Sequence, residues 1–223
     1  AYLAVASGIV DVAMALGVEK FSDVIGAGLD AALATGGDSD YETVQGLTPT
    51  AQAALLMRRY LYEYHVPRQA FAGFPIIAHA NGVNNPNAMF RKAISVEVYQ
   101  QAGIVSDPLN LFDVAPYADG AAAVLLTRAD LLPPGFPHRL ARIAASSMAT
   151  DTLALHDRPD PLDFRVVRLS VERACEKARI TPAQVDIFEL HDAYSIYAAL
   201  SLEAAGFAER GQGWKLAQNG AEP

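Results

Sequence analysis

Apolar side chains recur at helical spacing from Pro49, where Ala53, Leu56, Met57, Tyr60, Leu61 and Tyr64 share one stripe. Gln52, Arg58, Arg59 and Glu63 fall on the opposite side, and Thr48-Pro49 reads as an N-cap with proline in the first helical position. A second amphipathic stretch begins at Phe164. Val167, Val171, Ala174, Cys175 and Ala178 form its apolar face, with Arg165, Arg168, Glu172, Arg173, Glu176 and Lys177 largely opposite. Ala193 to Ala205 is apolar almost all round, which predicts a buried helix. Shorter helices are predicted over Tyr2–Ala6, stopped by Ser7-Gly8, and from Ser95 to near Gly103. Another runs from Pro67 towards His79, with Pro75 kinking or breaking it.

Between these lie unbroken apolar runs. Ile9 to Val18 carries only Asp11 as a charge, and a run of that kind predicts a strand covered on both faces, as in a parallel sheet. Leu109–Val114 and Gly120–Leu126 read as short strands separated by Pro116 and Asp119, and strands are also predicted over Arg139–Ala149 and Val185–Leu190. Phe21 to Thr48 lacks periodicity and reads as a surface excursion, while Asn81 to Asn87 is a dense turn signal. Strands alternating with helices argue for an α/β architecture. Leu131-Leu132-Pro133-Pro134-Gly135 is the best linker, so a domain boundary is expected there.

Composition narrows this picture. The 223 residues suit one large domain or two compact ones. A hydrophobic fraction of 52% with 19% charged residues excludes global disorder. The net charge of −8 argues against a nucleic-acid binder but leaves room for an anionic small ligand at a local patch. No apolar run reaches the roughly 18 residues of a membrane span. The first residues also lack the basic stretch of a signal peptide, so a cytoplasmic globular protein or fragment is expected. One cysteine excludes a disulfide framework and every multi-cysteine metal site.

That cysteine, Cys175, lies in mid-helix on an apolar stripe, away from the helix N-terminus or cationic neighbour that activates a thiol. It reads as a small buried hydrophobe. The most informative stretch is Val185 to Tyr194, where an apolar strand runs directly into His191-Asp192 and a buried helix. Ligands of open α/β sheets gather at the carboxyl ends of strands, so His191 is a site candidate, with a core histidine as the alternative. Asp192 is a candidate too, although a cap of the following helix explains it simply. His79 precedes a polar, turn-rich segment that includes Asn85, and Asp119 opens a stretch of small residues that packing alone would explain. His65, His138 and His156 read as ordinary, no metal site is expected, and the glycine patches lack phosphate-loop spacing.

Taken in order, Val5–Val12 with Gly17–Lys20, Asn85–Phe90, Pro108-Leu109 with Phe112-Asp113, Asp119–Ala123 and His191-Asp192-Ala193-Tyr194 resemble the thiolase superfamily. Within it the likeness is to the sterol-carrier-protein-X type and acetyl-CoA acetyltransferases. The last of these segments resembles the family's HDAF motif, with Tyr194 in place of phenylalanine. The resemblance covers essentially the whole chain.

It implies an α/β thiolase fold, a layered αβαβα arrangement of two related halves, incomplete at both ends here. Residues 1–133 would be the remainder of the N-terminal half, with an inserted loop region at about 21–107, and residues 134–223 the first part of the C-terminal half. The implied reaction is Claisen chemistry on 3-ketoacyl-CoA thioesters, with coenzyme A as substrate and no covalently bound cofactor. His191 would serve the oxyanion hole, with His79, Asn85, Asp192 and Tyr194 lining the site.

The family's nucleophilic cysteine belongs ahead of Ala1, and its acid/base cysteine and base histidine beyond Pro223. The chain therefore reads as an internal portion of a longer protein, inactive alone. A homodimer or homotetramer is expected, acting on acyl-CoA and on neither nucleic acid nor membrane. Two alternatives are a thiolase-like aldolase on side-chain CoA thioesters and a non-catalytic subunit with a heteromeric partner protein.

Overall fold

The computed structural model describes residues 1–24 and 26–220. In chain order the elements are α1 (Tyr2–Ala6), β1 (Val12–Glu19), α2 (Ala27–Ala34), α3 (Pro49–Tyr64), α4 (Gly73–Gly82) and α5 (Val96–Gln101). There follow β2 (Ile104–Ser106), β3 (Leu109–Asn110), β4 (Gly120–Thr127), α6 (Arg165–Ala178) and α7 (Ser195–Ala204). A 3-10 segment over Gly213–Gly220 comes last.

The core is built on α3 and α7. Ala53, Ala54, Leu56, Met57 and Tyr60 of α3 are buried with Ile196, Ala199 and Leu200 of α7, and Phe71, Leu109 and Leu162 complete the cluster. Each large apolar side chain buried there contributes about 1.5–3 kcal/mol. Thr48 caps α3 as expected, its hydroxyl accepting from the Ala51 N–H at 3.2 Å. The 3-10 segment closes over α4 and α7 through two glycines. A Cβ on Gly73 would stand 2.2 Å from the Ala217 carbonyl oxygen, and one on Gly213 would stand 2.3 Å from that of Ala199.

β1 pairs with β4 from Val12↔Thr127 to Glu19↔Gly120, in antiparallel register. The expectation of a parallel strand covered on both faces fails for this ribbon. Met14, Leu16 and Leu125 are 59%, 61% and 72% exposed, because the main helix packed against the ribbon among the described residues is the five-residue α1.

Further expectations give way for local reasons. Phe21–Thr48 contains α2 as well as loop. The helix expected from Pro67 divides into a 3-10 turn over Arg68–Ala72 and α4, whose start at Gly73 places Pro75 in the first turn. Proline there sacrifices no backbone hydrogen bond. The strand expected over Leu109–Val114 stops at Asn110, whose side chain accepts from the Phe112 and Asp113 N–H groups and starts a 3-10 turn instead. Arg139–Ala149 and Val185–Leu190 form no strands, since no neighbouring strand lies alongside to complete a ladder among the described residues. Cys175 is half-buried, not buried, because the whole apolar face of α6 is only partly covered.

Candidate active site

The start of α7 is anchored from below by a buried carboxylate. Asp113, 1% exposed, accepts from the Ser195 hydroxyl at 2.6 Å. It also accepts from the Tyr99 hydroxyl at 3.0 and 3.1 Å, one distance to each oxygen, and from the Asn110 N–H at 2.9 Å. Burial pushes the Asp113 carboxyl above its ordinary range, against the pull of hydrogen bonds from Ser195, Asn110 and Tyr99 and of the Arg68 charge. The Tyr99 phenol is likewise raised, first by burial and then by the Asp113 charge. This network ties two segments separated by 82 residues in the chain.

Above it, residues 191–194 are held at two points. The Ala115 N–H donates to the Ala193 carbonyl oxygen at 2.8 Å, beside an antiparallel bridge between Val114 and Tyr194. The Tyr194 hydroxyl lies 3.1 Å from that of Thr50 on α3. Burial raises the Tyr194 phenol, partly offset by the Thr50 contact.

His191 thus stands at the end of an extended segment rather than of a paired strand. Its side chain is exposed at the edge of a cavity of about 270 Å³, lined also by Leu56, Leu155, Arg158, Phe164, Val167 and Tyr197. The Tyr197 ring lies 6.2 Å from His191 and 5.0 Å from Tyr194, centroid to centroid, and so joins the two. Burial pushes the Tyr197 phenol up to about 12. An imidazole N–H at the mouth of such a cavity can donate to an oxygen on which negative charge develops.

The other candidates fall elsewhere. Asp192 is exposed and does not cap α7, because Tyr194 occupies the N-cap position and the helix starts at Ser195. His79 packs in α4, stacked on Phe90 at 6.0 Å and edge-on to Phe112 at 5.5 Å, with Nδ1 donating to the Lys92 carbonyl at 3.0 Å. Asn85 accepts from the Asn87 N–H at 2.9 Å and so shapes the turn after α4. Neither residue lines the His191 cavity.

His156, read as ordinary, lies 3.5 Å from Glu42, which is 3% exposed and also accepts from Leu155 and Gln52. The sequence gives no sign of that pairing, since 113 residues separate Glu42 from Leu155. Ser195 and Tyr197 carry only a weak sequence signal, each being a polar residue inside an otherwise apolar helix. Among the described residues no group of three or more His, Cys, Asp or Glu could hold a metal ion. No helix among them is long and apolar enough to cross a membrane.

The arrangement is a thiolase-like fold. It superposes on the solved Ltp2-ChsH2(DUF35) aldolase with a TM-score of 0.84 and 23% identity, over 98% of this chain and 57% of that one. Residues 147–222 match the family described as thiolase C-terminal domain-like. An acetyl-CoA acetyltransferase of Methanothermobacter thermautotrophicus is 38% identical over 98% of this chain and 56% of its own length. The benzoylsuccinyl-CoA thiolase subunit BbsB of Thauera aromatica is 31% identical over 97% of this chain and 55% of its own. Along its length the chain is similar to members of the thiolase superfamily. It spans about half the length of the curated relatives it matches.

Proposed function

We propose that this chain forms part of a thiolase-type acyltransferase that cleaves or forms 3-ketoacyl-CoA thioesters. The carrying observation is His191, presented at the edge of a cavity within a motif resembling HDAF, in a chain 38% identical to an acetyl-CoA acetyltransferase. In the Claisen step the thioester carbonyl becomes an enolate, and charge accumulates on its oxygen. A donor already in place lowers that barrier without solvent reorganisation, an effect on the order of 2.7–4 kcal/mol for one oxyanion-hole group. His191 is that donor. The covalent acyl-enzyme step needs a thiolate. Cys175, half-buried in the middle of α6, is not its source.

The division at residues 133 and 134 belongs to this reading as the junction of the two thiolase halves, and the cytoplasm as its compartment. Self-association as a homodimer or homotetramer draws support from the exposed apolar side chains of β1 and β4. A heteromeric partner draws support from the matched thiolase being named a subunit.

In the full-length protein, His191→Ala slows carbon–carbon bond cleavage roughly 100- to 1,000-fold. Acyl loading from acetyl-CoA changes far less. Rapid-quench single-turnover measurements separate the two steps, and an equal loss in both refutes the enolate-specific role. The 223 residues alone are expected to give no thiolysis of acetoacetyl-CoA.

The aldolase reading is favoured by one observation, a tyrosine, Tyr197, lining the cavity beside His191, with Tyr194 packed against it. Tyr197→Phe distinguishes it: acyl transfer survives that change, whereas a tyrosine-dependent retro-aldol cleavage does not.

A further inference from the structure

One wall of the His191 cavity, carrying Asp151, Leu153, Leu155 and Arg158, belongs to no helix or strand. Ala154 is buried and Leu155 packs against the core, but apolar packing is non-directional and leaves the register of the stretch to hydrogen bonds. Among the described residues, the only hydrogen bond or ion pair that leaves 151–158 runs to Glu42. The Leu155 N–H donates to Glu42 Oε1 at 2.5 Å, and His156 Nδ1 lies 3.5 Å from the same oxygen.

The second oxygen serves another wall. Glu42 Oε2 accepts from the Gln52 side chain and from the Asp38 N–H, each at 3.3 Å. Gln52 sits on α3 and lines the same cavity, whereas Glu42 itself does not. One carboxylate thus ties two walls together. It is 3% exposed and pairs with no lysine or arginine among the described residues. A buried carboxylate is costly unless hydrogen bonds satisfy it, and donors from three separate segments do so here. Displacing either wall leaves a donor and the carboxylate without each other, so the spacing of Gln52 and Leu155 resists change.

We propose that Glu42 is a positioning residue that fixes the gap between Gln52 and Leu155, and through it the length of acyl chain that the cavity beside His191 accepts. The proposal rests on the thioester reading above. A volume of about 270 Å³ lies just below the usual span of small-ligand sites, about 300–1,000 Å³, so the width of this gap decides whether a longer chain enters.

The test is steady-state thiolysis by the full-length protein and its Glu42→Ala, Glu42→Gln and Gly73→Ala forms, with acetoacetyl-CoA and 3-ketododecanoyl-CoA. The readout is the ratio of the two kcat/KM values, which a general loss of stability does not move. The unmodified protein is expected to favour acetoacetyl-CoA about 10-fold. Glu42→Ala releases both walls and removes most of that preference, raising KM for acetoacetyl-CoA and lowering it for the longer thioester. Glu42→Gln keeps one acceptor oxygen and falls between the two. Gly73 does not line the cavity, so Gly73→Ala leaves the ratio within about twofold.

An unchanged ratio in a folded Glu42→Ala protein overturns the proposal, as does an equal shift in Gly73→Ala. Where Glu42→Ala fails to fold, an unchanged ratio in Glu42→Gln overturns it. Equal kcat/KM for the two thioesters in the unmodified protein also overturns it and leaves the thioester reading standing. Turnover of neither thioester by the unmodified protein overturns the thioester reading itself, and this proposal with it.

Discussion

Replacing Asp113 by alanine removes the acceptor on which the start of α7 rests. Three donors lose their partner at once: the Tyr99 hydroxyl, the Asn110 N–H and the Ser195 hydroxyl. Each buried donor left unsatisfied costs about 1–3 kcal/mol. The vacated carboxylate volume admits some relaxation, and removing the carboxylate also relieves its own desolvation, so the net loss is expected at about 3–5 kcal/mol. Against a total stability of about 5–15 kcal/mol that is a large fraction.

Urea unfolding followed by circular dichroism reads it directly. With a slope of about 2 kcal/mol per molar, the midpoint falls by about 2 M. Ser195→Ala removes one donor and leaves Asp113 its other two, so its loss is expected at about 1 kcal/mol. A loss below about 1 kcal/mol for Asp113→Ala, at unchanged slope, would refute the reasoning. It would mean that the hydrophobic contacts of α7 with α3 alone position residues 191–194.

Asp113 also gives a pH dependence. Its folded carboxyl titrates above the ordinary value of 3.8, so the folded state holds the proton more tightly than the unfolded chain. The advantage of the natural protein over Asp113→Asn is therefore fully present below pH 3.8 and is lost as pH rises through the raised folded value; an advantage that grows with pH in paired urea titrations contradicts this. Gly73→Ala sets a methyl 2.2 Å from the Ala217 carbonyl oxygen, a backbone atom that cannot swing away. A loss of about 1–3 kcal/mol in thermal or urea unfolding is expected, with the Gly213–Gly220 segment becoming protease-sensitive. Cys175→Ala in the full-length protein leaves acyl transfer within about twofold in a thiolysis assay, since the thiol sits half-buried in mid-helix.

The sequence by itself determined α3, α6 and α7 and the resemblance to the thiolase superfamily. α3 and α7 were legible because the apolar stripe and Thr48 cap of the first and the unbroken apolar run of the second are local facts. His191 was legible because it stands within a short motif. The strands expected over Arg139–Ala149 and Val185–Leu190 show where this ends, for a strand exists only where another lies beside it, and pattern alone does not supply the neighbour. The same holds for Asp192, whose expected cap role was lost to a helix start three residues later. Only tertiary structure decided that Asp113 meets Ser195 across 82 residues and that Glu42 meets Leu155 and His156. It also decided that Arg158, Phe164 and Tyr197 come together with His191 around one cavity. Hydrogen bonding and charge act over a few ångströms, and distance along the chain carries no record of which residues folding brings that close.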